Sequence, residues 1–418
     1  MRVQLLIWLV VLSSTTAFAG SFYVDSVAGN DSGPGTSPAQ AWKTLAKVSA
    51  TRFQAGDQIL LARGRTWFEQ LLVSSSGAPG SPITLTAYGE GQPPLIDAQG
   101  IRNRGISIVG KSYVVVDQLA IQNSTSYAIE VFNSSHVTIT NCAIRNAKQS
   151  AISVGGRSPD VRIDACSYSQ DPGLTTASSF VSIFSPVEGA VVSNNKVSGF
   201  TGRIAISFLD VNNAVAFGNV LDGGGIGIAI NACSRNLTGG QIHDNVISNI
   251  STAQGDGEAI ELTGHVGATN AHCEQDKAHP FPVTTVSGEI YNNKIQGGPE
   301  TFGGIDGWHA VQSRVHDNQI SNFQKYGMQW TADSTGNEFF HNEIRECGVA
   351  AIAIYGGKGN SSASIHHNTI EGANVGISAD AGANVEEDFN TMNQVRSARS
   401  GSISAGRHTT VTGSRTYQ

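Results

Sequence analysis

The segments Gly227-Ile228-Ala229-Ile230, Ala259-Ile260-Glu261-Leu262, Gly304-Ile305-Asp306-Gly307 and Gly327-Met328-Gln329-Trp330 carry one short apolar pattern four times. After a polar segment comes an Asn-centred turn: Asp244-Asn245-Val246-Ile247, Asn292-Asn293-Lys294-Ile295 and Asp317-Asn318-Gln319-Ile320. Apolar-polar-apolar alternation over a few residues, with Val and Ile favoured, reads as β-strand rather than helix. Asn tolerates left-handed backbone and hydrogen-bonds locally, which suits a sharp turn stacked on its own copy.

Working outward, the aliphatic anchor recurs at Ile106, Ile129, Ile152, Val181, Ile206, Ile228, Ile260, Ile305, Met328, Ile352 and Ile377. The base period is roughly 23 residues, and longer gaps mark loops inserted into single coils. This predicts an all-β solenoid of about 11–13 coils. Leucine-rich repeats have similar length, but their fixed Leu and Asn consensus is absent. Asn195, Asn219, Asn245, Asn293, Asn318, Asn342 and Asn368 are expected to form a structural ladder at one turn.

Composition agrees: 48 glycines and only 14% charged residues fit many short strands joined by tight turns. A net charge of −7 argues against a general nucleic-acid binder, which would show a basic stripe. Arg2, the apolar run Leu5 to Leu12 and Ala17-Phe18-Ala19 read as a signal peptide over residues 1–19, with a mature start near Gly20. The expected location is therefore secreted or periplasmic. The run is too short to span a bilayer, no second one follows, and a monomer is expected.

Residues 20–104 read as an N-terminal cap and first coils, since a solenoid must cover its exposed core at its ends. Within it, Ser37-Pro38 followed by apolar residues at helical spacing to Val48 predicts a short amphipathic helix. Residues 105–385 are the repeats, with an inserted loop over 264–285, and 386–418 read as an irregular last coil and tail. Cys142 and Cys166 are 24 residues apart and stack on neighbouring coils, either as a disulfide or as buried thiols. Cys233 and Cys273 form a second candidate pair, leaving Cys347 over.

Coils of this length, stacked aliphatics and Asn turns resemble the right-handed parallel β-helix proteins of the pectin-lyase-like superfamily. The opening Tyr23-Val24-Asp25, Gly29-Asn30-Asp31, Gly35-Thr36-Ser37-Pro38, Trp42-Lys43-Thr44-Leu45 and Gly56-Asp57 looks like the N-terminal cap of its secreted members. The resemblance covers nearly all of the mature chain. It implies polysaccharide lyases, glycoside hydrolases, esterases or epimerases, alongside adhesins, because one fold hosts many functions. It carries over no catalytic residue: the stacked aspartates of polygalacturonases, the Trp-x-Asp-His of pectate lyases and the motifs of pectin methylesterases are missing, and Asp306-Gly307-Trp308-His309 has the wrong order.

The site expectation comes from strand alternation. If the anchors point inward, the next residues point outward: Ser107, Glu130, Ser153, Ser182, Ser207, Ala229, Glu261, Asp306, Gln329, Ala353 and Ser378. Most are small and neutral; Glu261, Asp306 and Gln329 break the pattern on successive coils. Stacked about 4.8 Å apart, Glu261 and Asp306 would raise a carboxyl pKa, as an acid-base pair requires. Glu261, Asp306 and His309 are the candidate catalytic residues, with Gln329, Trp308, Lys325, Arg345 and Tyr355 as candidate substrate contacts. The Glu261 and Asp306 pair could instead bind Ca²⁺, with Asp256 and Glu258, in the turn before Glu261, adding ligands, or the site needs no cofactor. Phe132, Phe184, Trp308 and Tyr355 fall on a second outward column, open to sugar rings or covered by loops, whereas Trp330 falls inward. The inserted loop adds His265, His272, Cys273, Glu274, Asp276, Lys277 and His279 as a cleft wall. The expected partner is a polysaccharide, and the expected activity a glycosidase before a lyase, whose base would come from His309, Lys325, Tyr326, Arg345 or His279. The alternative is a non-catalytic carbohydrate-binding or surface protein.

Overall fold

A computed structural model describes residues 19–174, 179–184, 187–265, 283–357 and 360–414. The expected leader, and His272, Cys273, Glu274, Asp276, Lys277 and His279 of the inserted loop, lie outside the described residues. The rest is a parallel β-solenoid with three sheets of 15, 14 and 13 strands. One coil runs through Ser135–Thr140 of the first sheet, Ala143–Arg145 of the second and Ser150–Gly155 of the third. Its strands pair with those of the coils before and after, all parallel.

The column arithmetic holds residue by residue. Ile228 pairs with Ile260, Ile260 with Ile305 and Ile305 with Met328, and every anchor is buried in one continuous core. Trp330 is core, as expected, and a side chain at Gly307 would meet its indole at 2.4 Å.

The Asn ladder forms between the first and second sheets. Asn318 donates from Nδ2 to Ile290 O and His316 O at 2.9 Å and to Asn342 Oδ1 at 3.0 Å. Its own Oδ1 accepts from the backbone and side-chain nitrogens of Asn293 at 3.0 and 2.9 Å. The same bonds run from Asn195 to Asn390. The residue before each of these Asn is left-handed, as at Asp244, Asn292, Asp317 and His341 (φ 54 to 55°).

Cys142 and Cys166 occupy this ladder's first rungs as free thiols, which decides between the two alternatives. Cys142 Sγ contacts Thr140 O at 3.3 Å and Val116 O at 3.8 Å, and Cys166 Sγ contacts Asp164 O and Ile139 O likewise. Each thiol thus donates to the carbonyls that an Asn amide serves further along. The neighbouring Cys166 and burial push the Cys142 thiol far up. Cys347 is also free, whereas Cys233 is disulfide-bonded; its expected partner, Cys273, lies outside the described residues.

Two boundaries differ from expectation. Pro38–Gln40 makes only a 3-10 turn, and the α-helix is Leu45–Ala50, capped by Thr44, whose hydroxyl accepts from Lys47 N. The cause is Asp31, which accepts from Lys43 N, Thr44 N and the Thr44 hydroxyl and holds the chain extended just before the helix. At the other end, Thr391–Val395, Ser397–Gly401, Ile403–Ala405 and Thr410–Ser414 continue all three sheets through the stretch read as irregular. Backbone pairing to the coil below suffices there without the apolar repeat.

Replacing Asn318 by Ala orphans buried groups on three coils. It should lower unfolding stability by about 3 kcal/mol or more in chemical denaturation, at roughly 1–3 kcal/mol per orphaned group. Cys166→Ser keeps a donor on its rung and should cost no more than about 1 kcal/mol.

Candidate active site

The third sheet carries the site. Glu258–Thr263, Gly303–Trp308 and Tyr326–Thr331 are three successive strands, and Ala229, Glu261, Asp306 and Gln329 share one register position. Glu258 begins its strand and shares a second outward position with Ile226, Gly303 and Tyr326. Sequence alternation misplaced Glu258 in a turn, because two consecutive residues, Ala259 and Ile260, both face the core. The position of Ala259 abuts the second sheet: a Cβ at Gly227 or Gly304, its equivalents, would lie 2.9 Å from Ile247 or 2.7 Å from Ile320. The Gly or Ala before every anchor except Val181, which follows Phe180, was the available signal for this bend.

Asp256, Glu258 and Glu261 each place a carboxylate oxygen within 4.8 Å of the others. Asp256 is exposed, on a turn that Gly257 ends with φ 84°; Glu258 and Glu261 are 7% and 4% exposed, and Asp306 is half-buried. An outward apolar cluster of Ile204, Ile226 and Ala229, separate from the main core, flanks these acids on the N-terminal side. Water is thereby excluded from one flank of the carboxyl row. Burial, then Asp306 and Asp256, push Glu258 up to about 9, against a weaker opposing pull from Lys325. Burial, then Glu258, Asp306 and Asp256, hold Glu261 well above the usual range, with Arg203 opposing. Burial and Asp256 raise Asp306 to about 7. Arg203, which is not among the sequence candidates, comes from the turn two coils earlier, which strand alternation does not place.

The far side of the row is open. Gly303 puts no side chain between Glu258 and Tyr326, and the nearest heavy atoms to a Cβ there would be Tyr326 O at 3.6 Å and Glu258 Cγ at 3.8 Å. Beyond it stand Tyr326, Phe302 and Tyr355, with ring centroids 5.8 and 6.0 Å from that of Tyr326. Lys325 Nζ lies 4.2 Å from the Phe302 centroid. Glu258 Oε2 and Gln329 Oε1 are buried without a hydrogen-bond partner. Trp308 is 47% exposed, and its register neighbours are Thr263 and Thr331. Phe132 is exposed as well, while Phe184 and Tyr355 are half-buried.

The structure does not bring every candidate together. His309 is three residues along the strand from Asp306, roughly 10 Å away. It is buried, and burial keeps its imidazole pKa low. Arg345 is on the second sheet, where Glu343 and Glu371 hold its guanidinium, so it does not reach the groove. The base of the inserted loop is closed by paired backbone hydrogen bonds between His265 and Thr284.

A parallel solenoid with a carboxyl-lined groove on one sheet is the class that this geometry defines. Residues 104–275 and 238–392 match the right handed beta helix region, and residues 22–177 match the Pel9A-like, right handed beta helix region. The chain belongs to the right-handed β-helix family, within the expected pectin-lyase-like superfamily. Over 96 residues it is 34% identical to a lacto-N-biosidase of Bifidobacterium longum subsp. longum, a stretch that is 22% of this chain and 6% of that protein. The chain therefore spans a small fraction of that relative. Among solved structures, the GH136 lacto-N-biosidase from Eubacterium ramulus aligns with 94% of this chain and 67% of its own at a TM-score of 0.57 and 14% identity. XylC in complex with xylose aligns with 84% of this chain and 86% of its own at 0.56 and 10% identity. At these identities the structural likenesses establish the fold.

The raised carboxyl pKa values make stability fall as pH rises. A carboxyl whose pKa is higher folded than unfolded holds its proton better in the native state, so its ionisation above about pH 4.5 favours unfolding until the folded pKa is passed. Thermal or chemical denaturation should show stability decreasing between pH 5 and about 9, by up to about 1.4 kcal/mol per pH unit for each such group. Glu258→Gln should remove its share of that slope, chiefly between pH 7 and 9, above the pKa of Asp306.

Proposed function

We propose that this chain is a secreted or periplasmic glycoside hydrolase that cuts a polysaccharide or oligosaccharide in the groove of the third sheet. The observation that carries the reading is the row of Glu258 and Glu261, both buried, and Asp306, half-buried, on an outward face where the other positions in register with Glu261 are mostly small and neutral. Glycoside hydrolysis needs one carboxyl that keeps its proton and one that ionises. The Glu258/Glu261 pair supplies the proton to the leaving oxygen, and Asp306, the more open group, acts as base or nucleophile. Gln329 and Trp308 flank Asp306 as substrate contacts, Trp308 by offering its indole to a sugar ring. Tyr355 and Lys325 line the C-terminal side, and His309, being buried away from Asp306, has no part in the reaction. The lacto-N-biosidase match supports a glycosidase. A lyase is less well supported, because Arg345 is turned away and Lys325 rests on Phe302.

Asp256, Glu258 and Glu261 also fit Ca²⁺, which takes carboxylate oxygens, and Glu258 Oε2 is free to serve it. Bound there, Ca²⁺ would hold these three groups ionised. It should then raise the melting temperature of the wild type and not of Glu258→Gln.

Assays on neutral and acidic glycans, reading reducing ends and the ultraviolet absorbance of unsaturated uronides together, test the reaction class. Reducing ends without absorbance are expected. Glu261→Gln and Asp306→Asn should each lower kcat by about 10²–10⁴-fold with the fold intact. The pH profile should be a bell with limbs near 7 and 9, the first lost in Asp306→Asn. Absorbance instead of hydrolysis, or full activity in both variants, overturns the reading. Binding without turnover would favour a non-catalytic carbohydrate-binding protein.

A further inference from the structure

The outer face of the first sheet carries a column of stacked rings: Phe217, His243, Tyr291, His316, Phe340 and His366, one per coil. The residue after each is the left-handed one of the Asn turn, so its side chain is set beside the ring before it. At His243 and His316 that next residue is an aspartate, and Nδ1 meets its carboxylate at 2.6 and 2.7 Å. At His366 the next residue is another histidine. The same turn geometry then points two imidazoles at each other, with Nδ1 of His366 and Nδ1 of His367 3.0 Å apart.

The other nitrogen of His366 decides what this pair can do. Nε2 lies 3.1 Å from Glu338 Oε1, and a carboxylate only accepts, so Nε2 carries a proton. In the neutral ring the Nδ1 lone pair then accepts from the Nδ1–H of His367, a bond that a metal ion between the two nitrogens would replace. The His367 ring is fixed by stacking on Phe389 at 4.9 Å and stands at 90° to His366. Both histidines line an open groove of about 520 Å³ with Glu386, Asp388 and Phe389. Asp388 is the register neighbour of His366 and accepts from His408.

We propose that His366 and His367 bind a divalent transition-metal ion through their two Nδ1 atoms, with Glu338 as the outer carboxylate that orients His366. Two nitrogens 3.0 Å apart, each about 2.05 Å from one ion, subtend an angle of about 94°. That matches neighbouring ligands of tetragonal Cu²⁺ or Ni²⁺ better than the wider tetrahedral angle of Zn²⁺. A carboxylate bonded to the far nitrogen of a ligating imidazole is the usual outer-shell arrangement. The groove leaves room for water to fill the remaining positions. This site lies on a different sheet from the carboxyl row and does not depend on the glycosidase reading.

The test is calorimetric titration of the whole protein with Cu²⁺ and Ni²⁺, in excess Ca²⁺ to occupy the acidic cluster, joined by electron paramagnetic resonance of the Cu²⁺ form. The informative variant is His367→Asp, which restores the histidine-aspartate pairing of the His316 turn and so preserves the fold. The wild type is expected to show a class of one equivalent with nitrogen splitting from two imidazoles. His367→Asp should weaken that class at least tenfold and lose one nitrogen, and His408→Ala should leave it unchanged. Equal affinity in the wild type and His367→Asp, or no two-nitrogen signal, means that the pair is a simple N–H···N hydrogen bond, and overturns the proposal.

Discussion

A strand pair can be held by its own ladder, but a coil that turns three times must satisfy the backbone at every corner. Here the corner between the first and second sheets is closed by side-chain amides that serve three coils at once. Each Asn takes carbonyls from its own coil and the one before, and passes its proton to the Asn of the next. Buried amide and carbonyl groups without partners would be costly, so this ladder sets the vertical register. Every column on the outer faces inherits that register, including the row of carboxyls. The first rungs show that the requirement is for a buried donor, since thiols at Cys142 and Cys166 fill the same place.

The row itself stands under opposing demands. Stacking places acids on neighbouring strands, and the apolar flank of Ile204, Ile226 and Ala229 removes the water that would otherwise soften their repulsion. The row therefore has to hold protons or a cation at neutral pH. Small neutral residues elsewhere on the column avoid this tension. Strands paired above and below cannot drift apart to relieve it, so the electrostatic cost stays localised in the row.

The register of the third sheet was legible in the sequence because a β-period and a fixed coil length leave little freedom: Ile260, Glu261, Asp306 and Gln329 all fall where alternation puts them. What failed is what alternation does not contain. Glu258 joins the outward face through a bend at Ala259, and Arg203 arrives from a turn two coils earlier. Arg345 looked close in sequence to the groove, yet a corner separates its sheet from the third. The helix began later than its proline suggested because Asp31, thirteen residues before Thr44, competes for the backbone. The carboxyl environment was only half legible, since burial of the acids depends on a neighbouring apolar patch that no single strand reveals.

The two aromatic arrangements on this solenoid have opposite consequences. On the first sheet the rings lie face to face at 4.6 to 5.4 Å and cover one another, so only their edges meet the solvent. Such a column is a spine: it stiffens the stack and offers a sugar nothing to lie on. On the third sheet Trp308 has threonines above and below, and about half of it is open to solvent. The molecule thus has a back and a front, distinguished by whether its aromatic rings close face to face into one continuous stack or meet tilted and edge-on.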